Sequence, residues 1–582
     1  MSTLKGDNIS SVSSVETPQK YLNLWNDEFV QSMETPYGGS EYRERVETLV
    51  KEVKMFLKEM QIGLDGDLIE RLEMVDALQC LGIDRYFQAE IKEALDYVYG
   101  CWDGSVGMGL ESRSVTKNLN ATALGLRLLR LHRYGVSADV LHNFKDKSGQ
   151  FFFSEGNNDN NQNIIVEEYG MRSILNLFRA SSVQFPGEKV MEEAKMFSST
   201  YLKQILQKNE NTYKKSFLKE VEYALLYEWT HTFSRWEAQN FIEIYEEDNF
   251  KLKDNKILEL AKLDFNTLQF VYKMEMKKVS SWWAECGIIK LISIRQRPME
   301  YYLLGVSAAD EEEFCSSRMA FTKSTTLLSL VDDLLDDYLT FEQAELVVRS
   351  ITQGWDISII QDIPVDFKRI LEFIFQTVHE LANEATGKQG RDMMPFITKV
   401  WADYAEASLQ QAQWNISKHV PTYNEYMNIA STTAAIGPLL LHPLLLATQH
   451  LEDNTIQKTF NNQCRFYELI WMSSRLIDDF RDYQDDKLHG QTASAISCYM
   501  IDHPECSEEE AINHINYMID QLLKELTWEF LNQDSALLDW EKISFNFNRG
   551  LQCFYAFGDG FSYHDKGIKN RIKKVLVDPI KF

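Results

Sequence analysis

Chain breakers are what this sequence lacks: its 582 residues carry only 11 prolines and 27 glycines. Proline removes a backbone donor and glycine loosens the backbone, so both punctuate regular structure. A chain this poor in them cannot turn the many tight corners of a sandwich or barrel, and it favours long helices. The apolar pattern agrees. Segments 42–61, 67–81 and 118–134 set apolar residues three and four apart, the spacing of one helix face, and no convincing alternating strand pattern stands beside them. Further long helices are expected at 241–255, 257–283, 317–339, 393–414 and 464–483. The fold class is therefore all-α, in two helical domains. A polar segment, 1–24, precedes an N-terminal domain over 25–225 and a larger C-terminal domain over 226–582, and a Gly/Asn-rich connector at 149–163 reads as a surface loop.

Charge and cysteine usage narrow the function. A net charge of −27 disfavours nucleic acid and anionic membranes as partners. A small anionic substrate would need bound cations and local arginines. The eight cysteines stand singly, with no CxxC pair, which suits reduced thiols better than a disulfide framework or a zinc site. Met1–Lys20 has no apolar core and no arginine, so neither a signal peptide nor a transit peptide is expected. No membrane span is expected either. The expected address is the cytosol.

Two acidic clusters break the apolar pattern. Leu327–Thr340 reads LLSLVDDLLDDYLT, with Asp332, Asp333, Asp336 and Asp337 following an apolar run. On a helix Asp332 and Asp336 share a face about 6 Å apart, where like charges repel unless a cation sits between them. Magnesium takes carboxylate oxygens and completes its shell with water and substrate phosphates. An acidic solvated face fits the cluster alone as well, although its neighbours are Leu and Val. The second cluster, RLIDDFRDYQDDKLHG over 475–490, sets Asp478, Asp482 and Asp486 at i, i+4 and i+8, one stripe over two turns. Asp479 and Asp485 point elsewhere and read as solvated. Two matched stripes on separate helices could clamp several metal ions against one diphosphate. Arg295 and Arg297 lie before the first cluster, and Arg475 and Lys487 flank the second. Arginine suits bidentate phosphate contact.

With these residues the chain resembles the plant terpene synthases, specifically the conifer-type sesquiterpene synthases. The likeness extends through NLWNDEFVQS, SMETPYGGSEYRER, LNATALGLRLLRLHRYGV, FPGEKVMEEAK, SRWEAQNFIEIY and ASAISCYMIDHPE. It implies a non-catalytic N-terminal helical relic of α-barrel type and a C-terminal class I terpenoid synthase bundle. Asp332, Asp333 and Asp336 match the DDxxD metal motif. Asp478, Asp482 and Asp486 match the second metal motif, with Asp482 and Asp486 standing where the family usually has Ser or Thr and Glu. Three magnesium ions, replaceable by manganese, are implied, and Asp332, Asp336 and Arg295 become the catalytic set. Arg295, Arg297, Arg475 and Lys487 would bind the diphosphate.

The resemblance also implies a pocket. Tyr301, Tyr302, Trp471, Tyr555 and Phe561 are candidate ring faces for a carbocation. Ser431–Gly437 matches a helix break that lines the pocket, and loops 305–314 and 485–494 are candidate lids. Leu304 and Phe554, with Phe561 beside Asp559, depart from the family's usual aromatics. No DxDD motif is present. The implied substrate is farnesyl diphosphate, with geranyl and geranylgeranyl diphosphate as alternatives, and the implied state is a monomer. A prenyl chain-elongating synthase would leave the first 220 residues unexplained, and a non-enzymatic scaffold would leave two matched clusters without a reason.

Overall fold

The computed structural model describes residues 25–62, 68–109, 118–151, 163–207, 213–248, 254–448, 450–460, 464–489, 493–532, 539–557 and 566–582. Among them the regular structure is helical, and the sole β features are two isolated bridges, Asp103 with Gly107 and Lys145 with Phe151. The polar segment 1–24, most of the 149–163 connector, and Asp559 and Phe561 lie outside the described residues. So do the side chains of Asp485 and Asp486.

Polar side chains start the helices where the sequence supplies them. Asn118 accepts from the Ala121 amide at 2.8 Å, and Thr422 and Ser507 form reciprocal capping boxes with Glu425 and Glu510. The expected helices are present with shifted ends, except one. Instead of 241–255 the chain forms Ser234–Glu247, because Asp254 caps the next helix through the Lys256 amide.

In the N-terminal half, α1 (Leu68–Cys80), α2 (Leu119–Leu131) and α3 (Asn163–Ser181) converge on one buried carboxylate. Asp76 of α1 pairs with Arg127 of α2, and its Oδ2 lies 2.7 Å from Arg179 of α3. Burial alone would push the Asp76 carboxyl up, but the two guanidinium groups outweigh it and bring it down to about 2. The apolar core runs on from here into the second half without interruption. The first described residues reinforce this continuity. They cross over to the long helix α4 (Asn255–Glu285), where Gln31 donates to the Lys277 carbonyl at 2.9 Å and Ser280 donates to Asp27 at 2.7 Å. From the other terminus, Asn266 exchanges hydrogen bonds with Ile580.

The second half closes a ring of helices. α5 (Pro298–Ala308) packs on α6 (Cys315–Asp337), while α7 (Met394–Ser417) lies against both α8 (Tyr423–Thr433) and α9 (Ile436–Ala447). Beyond these come α10 (Arg465–His489), α11 (Ala495–Asp502), α12 (Glu508–Leu531) and α13 (Asp539–Phe554). Contacts run from α6 to α5, to α13, to α10, to α8, to α9 and back to α6. The two aspartate helices, α6 and α10, are thus on opposite walls. Gly550 lets α5 and α13 approach closely, since a Cβ there would collide with the Ser307 hydroxyl.

The absence of any span-like apolar stretch, expected from the sequence, needs correcting. Tyr423–Ala447 is long and apolar enough to cross a membrane by composition. It is broken at Ala435, which takes φ +60°, and α9 is buried between α6 and α7. Its hydrophobicity serves the bundle interior.

Replacing Asp76 with Ala should cost about 3–5 kcal/mol, because it strips two buried arginines of their shared partner. The folded carboxyl titrates below its ordinary 3.8, so its contribution, about 2 kcal/mol, is present above that value and lost as pH falls towards 2. Urea melts of wild type and variant should therefore converge as the pH is lowered from 5 to 2.

Candidate active site

α6 carries the first cluster at its C-terminal end, where the helix dipole opposes negative charge. Successive helical residues diverge by about 100°, and the adjacent aspartates separate accordingly. Asp332 has a half-exposed side chain and Asp336 is exposed, whereas Asp333 is buried. Arg295, from the segment before α5, lies between the two neighbours. Its amide donates to Asp333 Oδ2 at 2.8 Å, its Nε lies 2.7 Å from Asp333 Oδ1, and its terminal nitrogen reaches Asp332. Burial works against this guanidinium, yet Asp332 and Asp333 hold its pKa well above the ordinary value. An ion would reach Asp333 only by displacing Arg295. In the metal-free chain Asp333, one of the expected metal ligands, is an anchoring contact for that arginine.

On the opposite wall α10 repeats the arrangement. Arg475 pairs with Asp478 and lies 2.5 Å from Asp479 Oδ1. Asp478 also accepts from the Tyr555 hydroxyl. The reading of Asp479 as solvated is wrong: it is 1% exposed. One residue on from Asp478 it turns towards α8, where Tyr426 donates to both its oxygens at 2.9 and 2.8 Å. The Ala495 amide of α11 adds a third donor at 2.7 Å. Asp482 is half-buried, one turn further along the stripe.

Lys487 stands off the aspartate stripe. Nine residues from Asp478 it lies half a turn round the helix, exposed and paired with Glu508 of α12 at 3.1 Å. Trp471, two turns below Asp478 on the same stripe, is buried, with its indole N–H lacking a hydrogen-bond partner among the described residues. Arg297 is buried at the start of α5, beside Glu300, whose carboxyl burial pushes up to about 7 against the pull of Arg297.

The remaining candidates divide. Tyr301 is buried with its hydroxyl 2.6 Å from Ser329, one turn below Asp332. Tyr302 instead turns to α4, donating to Glu275 at 2.8 Å in a buried network with Arg318. That network, with Arg318 also bonded to the Ala309 carbonyl, fixes residues 305–314 at the far end of α6, about 26 Å along the helix from Asp332. Such a clamped, distant segment is no lid. The second candidate lid, 485–494, lies partly outside the described residues. The helix break at 431–437 is present, and Ser431–Ala435 are half-buried between buried Ala430 and Ile436. One residue was not foreseen: Tyr404 of α7 is buried facing Asp332 and Asp336, and burial with those charges raises its hydroxyl pKa.

The donor set fits a hard divalent cation. Asp332, Asp336, Asp478 and Asp482 offer carboxylate oxygens, with no thiol or imidazole among them. Among the described residues no three His, Cys, Asp or Glu side chains form a closed metal cage. A surface groove of about 600 Å³ lined by Met33, Phe270 and Lys273 shares no residue with the clusters. Asp333→Ala, which takes from buried Arg295 its fully buried partner, should destabilise the fold by about 3–5 kcal/mol. Asp336→Ala, at an exposed position, should stay within about 0.5 kcal/mol in the same chemical melts.

Comparison with known proteins agrees with this architecture. Residues 24–225 match the model for the terpene synthase N-terminal domain, and 284–525 match that for the terpene synthase family metal binding domain. The chain is 44% identical to gamma-humulene synthase of Abies grandis, covering 98% of each chain. It is also 44% identical to a delta-selinene-like synthase of Picea sitchensis labelled chloroplastic, covering 97% of each. Isoprene synthase of grey poplar, solved with three Mg2+ ions and dimethylallyl-S-thiolodiphosphate, superposes with TM-score 0.81 at 27% identity, over 96% of this chain and 99% of that one. The match to both family models, over a helical ring with carboxylates on opposing walls, shows that this chain belongs to the terpene synthase family of carbon–oxygen lyases, which act on prenyl diphosphates with a divalent metal cofactor.

Proposed function

We propose that the chain ionises farnesyl diphosphate and cyclises the resulting cation to a sesquiterpene, releasing diphosphate. The observation that carries this reading is the pairing of solvent-facing carboxylates on α6 and α10, each backed by an arginine that is itself largely shielded from solvent. The names of the relatives at 44% identity favour a sesquiterpene product.

Asp332 and Asp336 on one wall, and Asp478, Asp482 and Asp486 on the other, would hold divalent cations. Three magnesium ions, the number in the isoprene synthase complex, could be shared among these five carboxylates, and manganese has the same oxygen preference. Bound there, the cations supply Lewis acidity towards the departing diphosphate. Arg295, Arg297 and Arg475 would receive the diphosphate as its charge develops, and the burial of Arg295 and Arg297 strengthens that contact. Trp471 and Tyr301 would offer unreactive ring faces deeper in the ring, each worth about 1–2 kcal/mol to a desolvated cation. The break at 431–435 would turn main-chain carbonyl dipoles towards the same space. Tyr555, bonded to Asp478, couples α13 to the metal-facing carboxylate.

Incubation of the purified chain with farnesyl, geranyl and geranylgeranyl diphosphate plus magnesium, followed by mass spectrometry of volatiles, tests the reading. A C15 product from the farnesyl substrate, abolished by a chelator, is expected. No volatile product from any of the three would overturn it. Asp332→Ala and Asp478→Ala should each lower kcat by about 100-fold or more, since each removes charge stabilisation felt in the transition state. The cytosolic address, set against a relative labelled chloroplastic, is checked by imaging a fluorescent fusion. The monomeric state is checked by light scattering.

A further inference from the structure

Each cluster contains a buried carboxylate that the proposed chemistry leaves without a task. Asp333 and Asp479 each follow the solvent-facing member of their pair, and each is 1% exposed. Neither can follow a departing partner. Asp479 is fixed by the Tyr426 hydroxyl and the Ala495 amide, and Asp333 by the Arg295 amide. In both clusters one arginine spans the fixed carboxylate and the solvent-facing one.

We propose that Asp333 and Asp479 are positioning residues that seat the two arginines, and that Arg295 and Arg475 occupy Asp332 and Asp478 until a divalent cation displaces them. The inference rests on the metal- and diphosphate-binding reading above. A guanidinium against Asp478 covers carboxylate lone pairs and repels an approaching cation, so metal alone binds against competition. When the cation takes Asp478, the guanidinium stays seated on Asp479 and turns its freed N–H donors to the anion. The same arginine thus opposes the metal by itself and favours the metal with diphosphate. The two ligands become positively coupled, and the coupling is reciprocal.

The test is Mn2+ binding to the full chain, read from the electron paramagnetic resonance signal of free Mn2+, with and without inorganic pyrophosphate. Arg475→Gln removes the competitor, so Mn2+ alone should bind about 5-fold tighter. With pyrophosphate present, the same variant should bind about 10-fold more weakly, having lost charged hydrogen bonds to the anion. Asp479→Asn keeps the shape but lets Arg475 settle on Asp478, so Mn2+ alone should bind about 5-fold more weakly. Opposite signs for the two variants are the signature, since a merely structural role would weaken both. Arg475→Gln leaving Mn2+ affinity unchanged or reduced overturns the proposal. Should that variant not fold, Arg295→Gln carries the same expectation and the same refutation at the first cluster. Wild type that binds no Mn2+ even with pyrophosphate would overturn the reading of the site itself.

Discussion

A guanidinium held between two adjacent carboxylates of one helix is the contact on which the rest of the active half depends. Neighbouring aspartates on a helix point about 100° apart, so they cannot share one surroundings. Burying Asp333 places a negative charge in the core, which is tolerable only with a close cation and hydrogen bonds. Arg295 supplies both, through its Nε and its main-chain amide. The amide contact matters most for architecture. It pins the segment before α5 against the end of α6, so that Pro298 can start α5 directly afterwards. α5 then presents Tyr301 to Ser329 and receives α13 across Gly550.

The same solution on α10 uses different neighbours. There the buried carboxylate is satisfied by Tyr426 from α8 and by the first amide of α11, so it ties three helices together. Two unrelated surroundings reach one arrangement because the electrostatic problem is the same. In a protein of net charge −27 that accepts an anion, the carboxylates around the site repel it unless cations offset them. Two deeply seated arginines neutralise the clusters locally, and they remain when the anion arrives.

What the sequence disclosed follows from what periodicity can carry. The scarcity of proline and glycine, the three- and four-residue apolar spacing and the i, i+4 aspartates are local signals, and α6, α10 and the shared face of Asp332 and Asp336 follow from them. Burial is not local. Asp479 reads as solvated in sequence, yet it is buried because Tyr426, 53 residues earlier, lies against it. Lys487 looked like a phosphate ligand from its nearness in number, whereas nine residues of helix carry it to the other side. The 305–314 segment looked like a loop over the site because helix direction was unknown. α6 runs away from it, and Arg318 fixes it to the buried core. Tyr404 gave no signal at all, since only the packing of α7 brings it to Asp332 and Asp336.

The position of the first cluster within α6 bears on how tightly the site can hold metal. Asp332, Asp336 and Asp337 occupy the last turns of the helix, where the macrodipole disfavours each negative charge by about 0.3–1 kcal/mol. Mutual repulsion at i, i+4 adds to this. A cation relieves both penalties at once, so the strained carboxylates gain more from binding than relaxed ones would. Arg295 relieves part of the same strain in the metal-free chain and thereby lowers that gain. Tight binding of metal alone is consequently opposed by the same contact that makes the fold stable. Only a ligand that also satisfies the displaced guanidinium, as a diphosphate does through its oxygens, recovers the difference.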